Sequence, residues 1–217
     1  MIRAQVELCQ WCLEQLPLVG ESFCRQCGRP LAVRQEPLLC FDCRSTRHFF
    51  ARNRAVGIYS GPLKEQIHEV KYRYNRQLGI GLGQVMAVVA KGRRWIPDGA
   101  HLLAVPLHPQ RLRQRGYNQA ELLVKGMESC FQLPVLEPGV VVRREATQAS
   151  SSLNPWERRA NLRGVFYVPR PGRVVGKVLC VVDDIYTTGA TLDELARTLL
   201  QAGAKAVYGL TLSIAVD

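Results

Sequence analysis

Apolar residues along this chain fall into short runs that alternate with stretches of helical periodicity. The clearest run covers residues 178–182 and is rich in valine, which predicts a strand buried on both faces of a parallel sheet. Beyond a short polar stretch, apolar side chains recur on one helical face: Leu192, Leu195, Ala196, Leu199 and Leu200. A buried strand followed by an amphipathic helix indicates an α/β fold.

The same alternation is found through most of the chain. Further strands are predicted at residues 55–59, 101–106, 140–142, 165–168 and 206–214. Helices are predicted from Ser60 onwards, at residues 119–130 and at residues 156–163, and two helices should meet near Tyr74 and Asn75. The polar, serine-rich segment 143–155 predicts a flexible loop.

Length and composition indicate a globular protein with one good-sized domain and a small module. The chain has 217 residues, of which 47% are hydrophobic. Its longest apolar stretch, residues 78–90, is interrupted by glycines and Gln84 and is too short to span a membrane. The first residues lack the basic-then-apolar pattern of a signal peptide. We therefore expect no integral membrane segment and a cytoplasmic location.

The charge is strongly basic and unevenly distributed. The formal net charge is +11, and residues 25–94 hold fourteen lysines and arginines against four acidic residues. Such a balance favours binding of pyrophosphate, a nucleotide or a nucleic acid through Coulomb attraction and counterion release. A solvated basic surface without a polyanionic partner has the same composition, so both interpretations stay open here.

Three C-x-x-C pairs crowd the first 47 residues and predict a cysteine-rich module there. They are Cys9 and Cys12, Cys24 and Cys27, and Cys40 and Cys43. Twelve residues separate the second pair from the third, which suits a zinc ribbon with four cysteine ligands. Four thiolates close the coordination shell, so the expected zinc is structural. The first pair is either the remnant of a second ribbon or a competitor of the third pair.

Two carboxylates, Asp183 and Asp184, follow the strand predicted at residues 178–182. A loop of small and hydroxylated residues comes next: Thr187, Thr188, Gly189, Ala190 and Thr191. Backbone N–H groups in a tight loop at a helix N-terminus lack intrahelical partners and can bind a phosphate. The carboxylates would repel a phosphate but can accept hydrogen bonds from ribose hydroxyls. This order of groups therefore predicts a site for a sugar phosphate at the end of a strand.

A second segment with anion-binding chemistry follows the strand at residues 101–106. Arg113 and Arg115 alternate with other side chains before Gly116, which predicts a mobile basic loop. Guanidinium groups match phosphate oxygens, so this loop is a candidate pyrophosphate clamp, although a solvated loop would have the same spacing. Lys71 could also reach a phosphate, but an exposed helical lysine is the ordinary outcome.

Residues 177–191 closely resemble the phosphoribosyl-pyrophosphate (PRPP) binding motif of type I phosphoribosyltransferases. Other segments narrow the resemblance, and they lie in this order: Val105-Pro-Leu-His108, Arg115-Gly-Tyr-Asn-Gln119, Thr147-Gln148 and Arg158-Arg-Ala-Asn-Leu-Arg-Gly164. With its cysteine-rich start, the chain is identified as a member of the ComF family of competence proteins. Many members carry four cysteine knuckles and this chain has three, which leaves a two-zinc module in doubt.

The resemblance implies a type I phosphoribosyltransferase-like α/β fold, a parallel sheet flanked by helices, over residues 48–217, preceded by a zinc ribbon at residues 1–47. It implies PRPP with Mg²⁺ as ligand, its 5′-phosphate on Thr187 to Thr191 and its pyrophosphate near Arg113 and Arg115. Tyr186, just before this loop, also belongs to the implied PRPP-binding residues. Asp183 and Asp184 would bind the ribose hydroxyls. As catalytic groups, they would favour the positive charge that develops on the ribose.

Two functions of different classes are compatible with this resemblance. In naturally competent bacteria, ComF proteins assist the uptake of single-stranded DNA across the inner membrane, which implies a DNA partner, a competence helicase and a place at the inner face of the membrane. The alternative is an active phosphoribosyltransferase of unknown acceptor. Thr187 occupies a position that is often acidic in purine-salvage relatives, so purine salvage is disfavoured.

Overall fold

The computed structural model describes residues 14–32, 38–145 and 162–216. Its strands are β1 (Arg52–Ile58), β2 (His101–Ala104), β3 (Val142–Arg143), β4 (Phe166–Tyr167), β5 (Val178–Tyr186) and β6 (Ala206–Ile214). Four of them form one parallel sheet in the order β1-β6-β5-β2, and β3 pairs with β4 in a separate antiparallel ribbon. The interior of the sheet is therefore formed by β5 and β6, the two longest strands.

The helices connect these strands and cover the sheet. They are α1 (Phe41–Ser45), α2 (Gly61–Tyr72), α3 (Arg76–Gly92), α4 (Pro109–Arg115), α5 (Gln119–Glu128) and α6 (Ala190–Gln201). A short 3₁₀ helix at Pro171–Arg173 precedes β5. None of the helices in the described ranges is both long and apolar enough to cross a membrane.

Apolar side chains on both faces of the sheet form two cores, as the valine-rich run predicted. On β5, Leu179 and Val181 face the core that includes α6, whereas Cys180 and Val182 face the core that includes α2, α3 and α5. All four side chains are at most 1% exposed. The predicted class, an α/β fold with a parallel sheet flanked by helices, is confirmed.

Local predictions were correct in part. The junction of two helices near Tyr74 and Asn75 is confirmed: Tyr74 has a φ of 59°, and the Asn75 side chain caps α3 by accepting a hydrogen bond from the Leu78 N–H at 3.1 Å. The prediction of a mobile basic loop is wrong, because Arg113 and Arg115 lie in the last turn of helix α4. Residues 146–161 are outside the described ranges, and with them most of the predicted loop at 143–155, most of the helix at 156–163 and the Thr147-Gln148 motif. At the start of that predicted loop, Arg143 lies in strand β3 instead.

The cysteine-rich segment packs directly on the edge strand β1. Asn53 Nδ2 donates to the Cys27 carbonyl at 2.9 Å, and the Arg54 guanidinium donates to the Arg25 carbonyl at 2.8 Å. Gly28 has a φ of +81°, and an added Cβ would lie 3.2 Å from backbone atoms of β1. The ribbon thus shares a core with the α/β domain, and the boundary at residue 47 stays a prediction.

Candidate functional site

Asp183 and Asp184, the acidic pair, lie in the last four residues of β5, which extends four residues beyond the strand predicted at 178–182. The side chain of Asp184 is 9% exposed, and its Oδ2 lies 2.5 Å from the Nζ of Lys71 at the end of α2. The backbone N–H of Asp184 donates to Asp183 Oδ1 at 2.9 Å, which fixes the Asp183 carboxyl group against the backbone of β5. The acidic pair therefore has its own counterion within the protein.

The expectation that Lys71 is an ordinary exposed lysine is wrong. Its side chain is only 18% exposed and ends in the ion pair with Asp184. The helical pattern contained a signal for this, because Lys71 lies four residues after the buried Ile67 and next to the buried Val70. A lysine on the buried face of an amphipathic helix needs a partner, and the partner is Asp184.

The two carboxyl groups differ in acidity. Burial and the neighbouring charge of Asp184 raise the pKa of Asp183 well above its usual range. Burial also works against ionisation of Asp184, yet the charge and hydrogen bond of Lys71 leave the pKa of Asp184 lowered. Burial likewise opposes the charge on Lys71, but Asp184 raises the pKa of this lysine above its ordinary value. Asp184 is therefore the ionised carboxylate, and Asp183 is the carboxyl that holds its proton more tightly.

Residues 187–191, the Thr/Gly loop, connect the acidic pair to α6. Gly189 is the N-cap of α6 with a φ of +76°, and its carbonyl accepts a hydrogen bond from the Asp193 N–H at 2.8 Å. An added Cβ at Gly189 would overlap the Tyr186 hydroxyl, so both the conformation and the space require glycine. Together with Asp183, four residues of this loop line one open cleft: Thr187, Gly189, Ala190 and Thr191.

Arg115 and Arg113, both on α4, differ in their exposure to solvent. Arg115 donates to Gln119 Oε1, its guanidinium lies 5.7 Å from the ring centroid of Tyr72, and its charge contributes to the lowered pKa of Asp184. Arg113 is exposed. The structure therefore brings Arg115 towards the acidic pair and leaves Arg113 at the surface.

Sequence reasoning missed Arg143 as a neighbour of this site. Burial lowers the pKa of Arg143, the charge of Arg111 lowers it further, and the charge of Asp183 acts in the opposite direction. Arg143 lies on β3, and its guanidinium is 5.8 Å from the ring centroid of Phe166 on β4. No motif pointed to it, because this position depends on how β3 packs against distant parts of the chain.

Cys24, Cys27, Cys40 and Cys43 form the cysteine cluster, with all four sulfur atoms within 4.8 Å of one another. The hydrogen bond to the Cys24 sulfur raises the pKa of Cys27 to about 12 and also raises that of Cys43, since each further thiolate would repel the first. A divalent cation removes this repulsion, and four soft sulfur donors are the set that zinc prefers in structural sites. The four cysteines are therefore a suitable ligand set for a structural zinc ion.

The other cysteines take no part in this cluster as far as the structure describes them. Cys180 is buried in β5, where burial raises its pKa to about 12, and Cys130 follows α5. Cys9 and Cys12, whose role the sequence left open, lie outside the described ranges.

Comparison with known proteins agrees with this architecture. A family model described as a double zinc ribbon domain matches residues 1–44. The DNA utilization protein YhgH of Escherichia coli is 31% identical over 192 residues, which cover 86% of this chain and 82% of that protein. The competence protein ComFC of Bacillus subtilis is 27% identical over 98% of this chain and 86% of its own length.

The chain belongs to the ComF family. The competence protein F of Haemophilus influenzae is a further ComF relative, 27% identical over 94% of this chain and 89% of that protein. The parallel sheet, the phosphoribosyltransferase-like motif on it and the N-terminal ribbon are those expected of a ComF protein.

Solved structures resemble this ComF protein only loosely. An allosteric regulatory enzyme of purine biosynthesis is 16% identical with a TM-score of 0.40, covering 62% of this chain and 26% of that enzyme. A hypoxanthine phosphoribosyltransferase from Staphylococcus aureus is 12% identical with a TM-score of 0.35, covering 61% and 62% of the two chains. Likenesses at this level carry no conclusion about the ComF chain.

Proposed function

We propose that this ComF protein binds PRPP or a closely related phosphoribosyl ligand and assists the uptake of single-stranded DNA in natural transformation. One observation supports this choice of ligand. The Thr/Gly loop, which leads into the N-terminus of α6, lines the same cleft as Asp183, and the Lys71–Asp184 ion pair lies beside it. A ribose phosphate needs an anion site next to hydrogen-bond acceptors for its hydroxyls, and this cleft supplies both.

Each part of the ligand has a partner in the proposed complex. The 5′-phosphate is bound by the backbone N–H groups and hydroxyls of the Thr/Gly loop and by the adjacent Tyr186. The ribose hydroxyls donate hydrogen bonds to Asp183 and Asp184. The pyrophosphate, which arrives with Mg²⁺, is attracted by Arg115 and, from the surface, by Arg113.

Removing the negative charge of the acidic pair is the sharpest test of this ligand. The change of Asp183 and Asp184 to asparagine is expected to weaken binding of PRPP with Mg²⁺ by at least about tenfold per residue, because a hydrogen bond to a charged group contributes about 1.5–3 kcal/mol. Isothermal titration calorimetry measures the affinity. Asp98→Asn, an exposed substitution, is the matched control. Equal affinities of the double variant and the control would exclude the acidic pair from the binding site.

A basic–aromatic surface beside the cleft supports the DNA part of the proposal. We define it as Tyr72, Tyr74, Arg76 and Arg115. The two tyrosines are 60% and 65% exposed, Arg115 lies over the ring of Tyr72, and Arg76 donates to the Gly116 carbonyl at 3.2 Å. Exposed aromatic rings between arginines are typical of single-stranded nucleic acid sites, where bases stack and phosphates are neutralised.

Single-stranded DNA should therefore bind this surface with a strong dependence on salt. Changing both Arg76 and Arg115 to alanine is expected to reduce the slope of log affinity against log salt by about 1.4, since each lost phosphate contact removes about 0.7. Fluorescence anisotropy with a labelled oligonucleotide measures the slope. The control removes two exposed charges near the amino ends of β5 and β6, Arg170→Ala with Lys205→Ala. An unchanged slope in the first variant would contradict this assignment.

Catalysis is a second candidate function, and the chemistry of the acidic pair favours it. An ionised Asp184 beside the ribose would stabilise the positive charge that develops as pyrophosphate leaves. The acceptor is unidentified, so the test is pyrophosphate release from PRPP across a panel of bases and amines. Release that disappears in the acidic-pair variant supports an enzyme. Binding without release across the panel supports a protein that binds this ligand without turning it over, as the DNA-uptake proposal requires.

A further inference from the structure

A buried histidine connects the cysteine cluster to the opposite end of the chain. His48 follows α1, and its side chain is 2% exposed. Its Nε2 lies 3.6 Å from the Sγ of Cys43, and its Nδ1 lies 3.4 Å from the Oδ1 of Asp193 on α6. One imidazole ring therefore lies between Cys43 of the cluster and helix α6, which begins at the Thr/Gly loop.

Asp193 is fixed from both sides at the start of α6. Its Oδ1 accepts a hydrogen bond from the Phe49 N–H at 2.7 Å, and its own N–H donates to the Gly189 carbonyl at 2.8 Å. The position of this residue is thus shared between the end of the ribbon and the capping glycine of the Thr/Gly loop. A displacement of His48 and Phe49 would therefore act on Gly189 through one residue, Asp193.

Stacked rings make a second connection between the same two regions. The His48 ring is stacked on Phe50 with centroids 4.6 Å apart, and Phe50 meets Tyr186 edge-on at 6.3 Å. The Tyr186 hydroxyl occupies the space directly against Gly189, where no Cβ could fit. Both connections begin at His48 and end at the residue that sets the conformation of the loop.

We propose that His48 is a positioning residue that couples the metal site of the ribbon to the Thr/Gly loop. Zinc on the cysteine cluster would fix the sulfur of Cys43, and a hydrogen-bonded neighbour of a metal ligand both orients that ligand and is oriented by it. Through Asp193 and Tyr186, the orientation of His48 holds the loop ready for a phosphate. Coupling of this kind is reciprocal, so a ligand on the loop also acts on the metal site.

The coupling is measured on the full chain loaded with Co²⁺ in place of zinc, because cobalt–thiolate absorption reports on the sulfur ligands. In His48→Ala we expect a shifted cobalt–thiolate band and about fivefold or faster hydrogen exchange of the backbone amides at residues 189–193. In the original protein, PRPP with Mg²⁺ should shift the band, and in His48→Ala it should not. Arg47→Ala, an exposed neighbour, is the control and should match the original protein in every readout.

The PRPP arm of this experiment rests on the proposed function, whereas the cobalt and exchange arms do not. A failure of the original protein to bind PRPP would sink the proposed function and leave the coupling to be decided by the other two arms. If His48→Ala does not fold, Asp193→Asn takes its place, with the same faster exchange and a shifted cobalt band expected. A cobalt band and loop exchange that both stay unchanged overturn the coupling.

Discussion

Replacing Cys24 by serine is expected to abolish stoichiometric zinc binding and to destabilise the whole protein, with a fall in melting temperature of about 10 °C or more. Cys24 is fully buried, and its sulfur lies in the cluster of four. A serine hydroxyl stays protonated and is a poor zinc ligand. Metal binding contributes directly to the folding free energy, so we expect the free energy of unfolding to fall by about 3–5 kcal/mol. A loss of this size corresponds to the stated fall in melting temperature.

The destabilisation should extend beyond the ribbon. Cys24, Cys27 and Cys40 belong to the same hydrophobic core as Val181 and Leu195, so a disordered ribbon would expose one face of the sheet. Metal analysis by mass spectrometry and thermal unfolding measure the two effects. Cys130→Ser is the matched control, since this thiol lies outside the cluster and should change neither quantity. Full zinc content in the Cys24 variant would show that the ligand set is wrong.

Patterns that are local in sequence predicted most of the fold and the centre of the site. The valine-rich run identified β5 because a strand buried on both faces has no polar positions. The Thr/Gly loop was recognisable because its glycine, hydroxyls and preceding carboxylates are adjacent in the chain. The cysteine spacing indicated which thiols could meet, and those four sulfurs do lie together.

The helix α4 shows where local reasoning went wrong although its signals were present. Arg113 and Arg115 before Gly116 indicated a loop. The capping signals of a helix are nevertheless present: His108 accepts a hydrogen bond from the Gln110 N–H, Pro109 occupies the first turn, and Gly116 ends the helix with a φ of 74°. Capping residues at both ends outweigh the charge of the interior in so short a segment.

Other features of the site could not be read from the chain because they depend on tertiary contacts. The ion pair of Lys71 with Asp184 joins the end of α2 to the end of β5. The contact of His48 with Asp193 likewise joins the ribbon to α6. No spacing rule relates residues so far apart in the chain, and both contacts form only when the sheet and its flanking segments have folded together.

Gly189→Ala is expected to weaken binding of PRPP with Mg²⁺ by about a hundredfold or more. The positive φ of Gly189 costs any other L-residue about 1–2 kcal/mol, and the new methyl group would overlap the Tyr186 hydroxyl. The loop must therefore move away from β5, and its N–H groups lose their common direction. Two hydrogen bonds to a charged phosphate, at about 1.5–3 kcal/mol each, account for an effect of this size.

Calorimetric titration of the variant distinguishes a site on this loop from a site elsewhere in the cleft. Gly172→Ala is the matched control, because an added Cβ there meets no atom within 4 Å and its φ lies outside the positive range. It should bind PRPP like the original protein. A circular dichroism spectrum shows whether the Gly189 variant keeps its helices and strands. A folded Gly189→Ala protein with unchanged affinity would place the phosphate away from the N-terminus of α6.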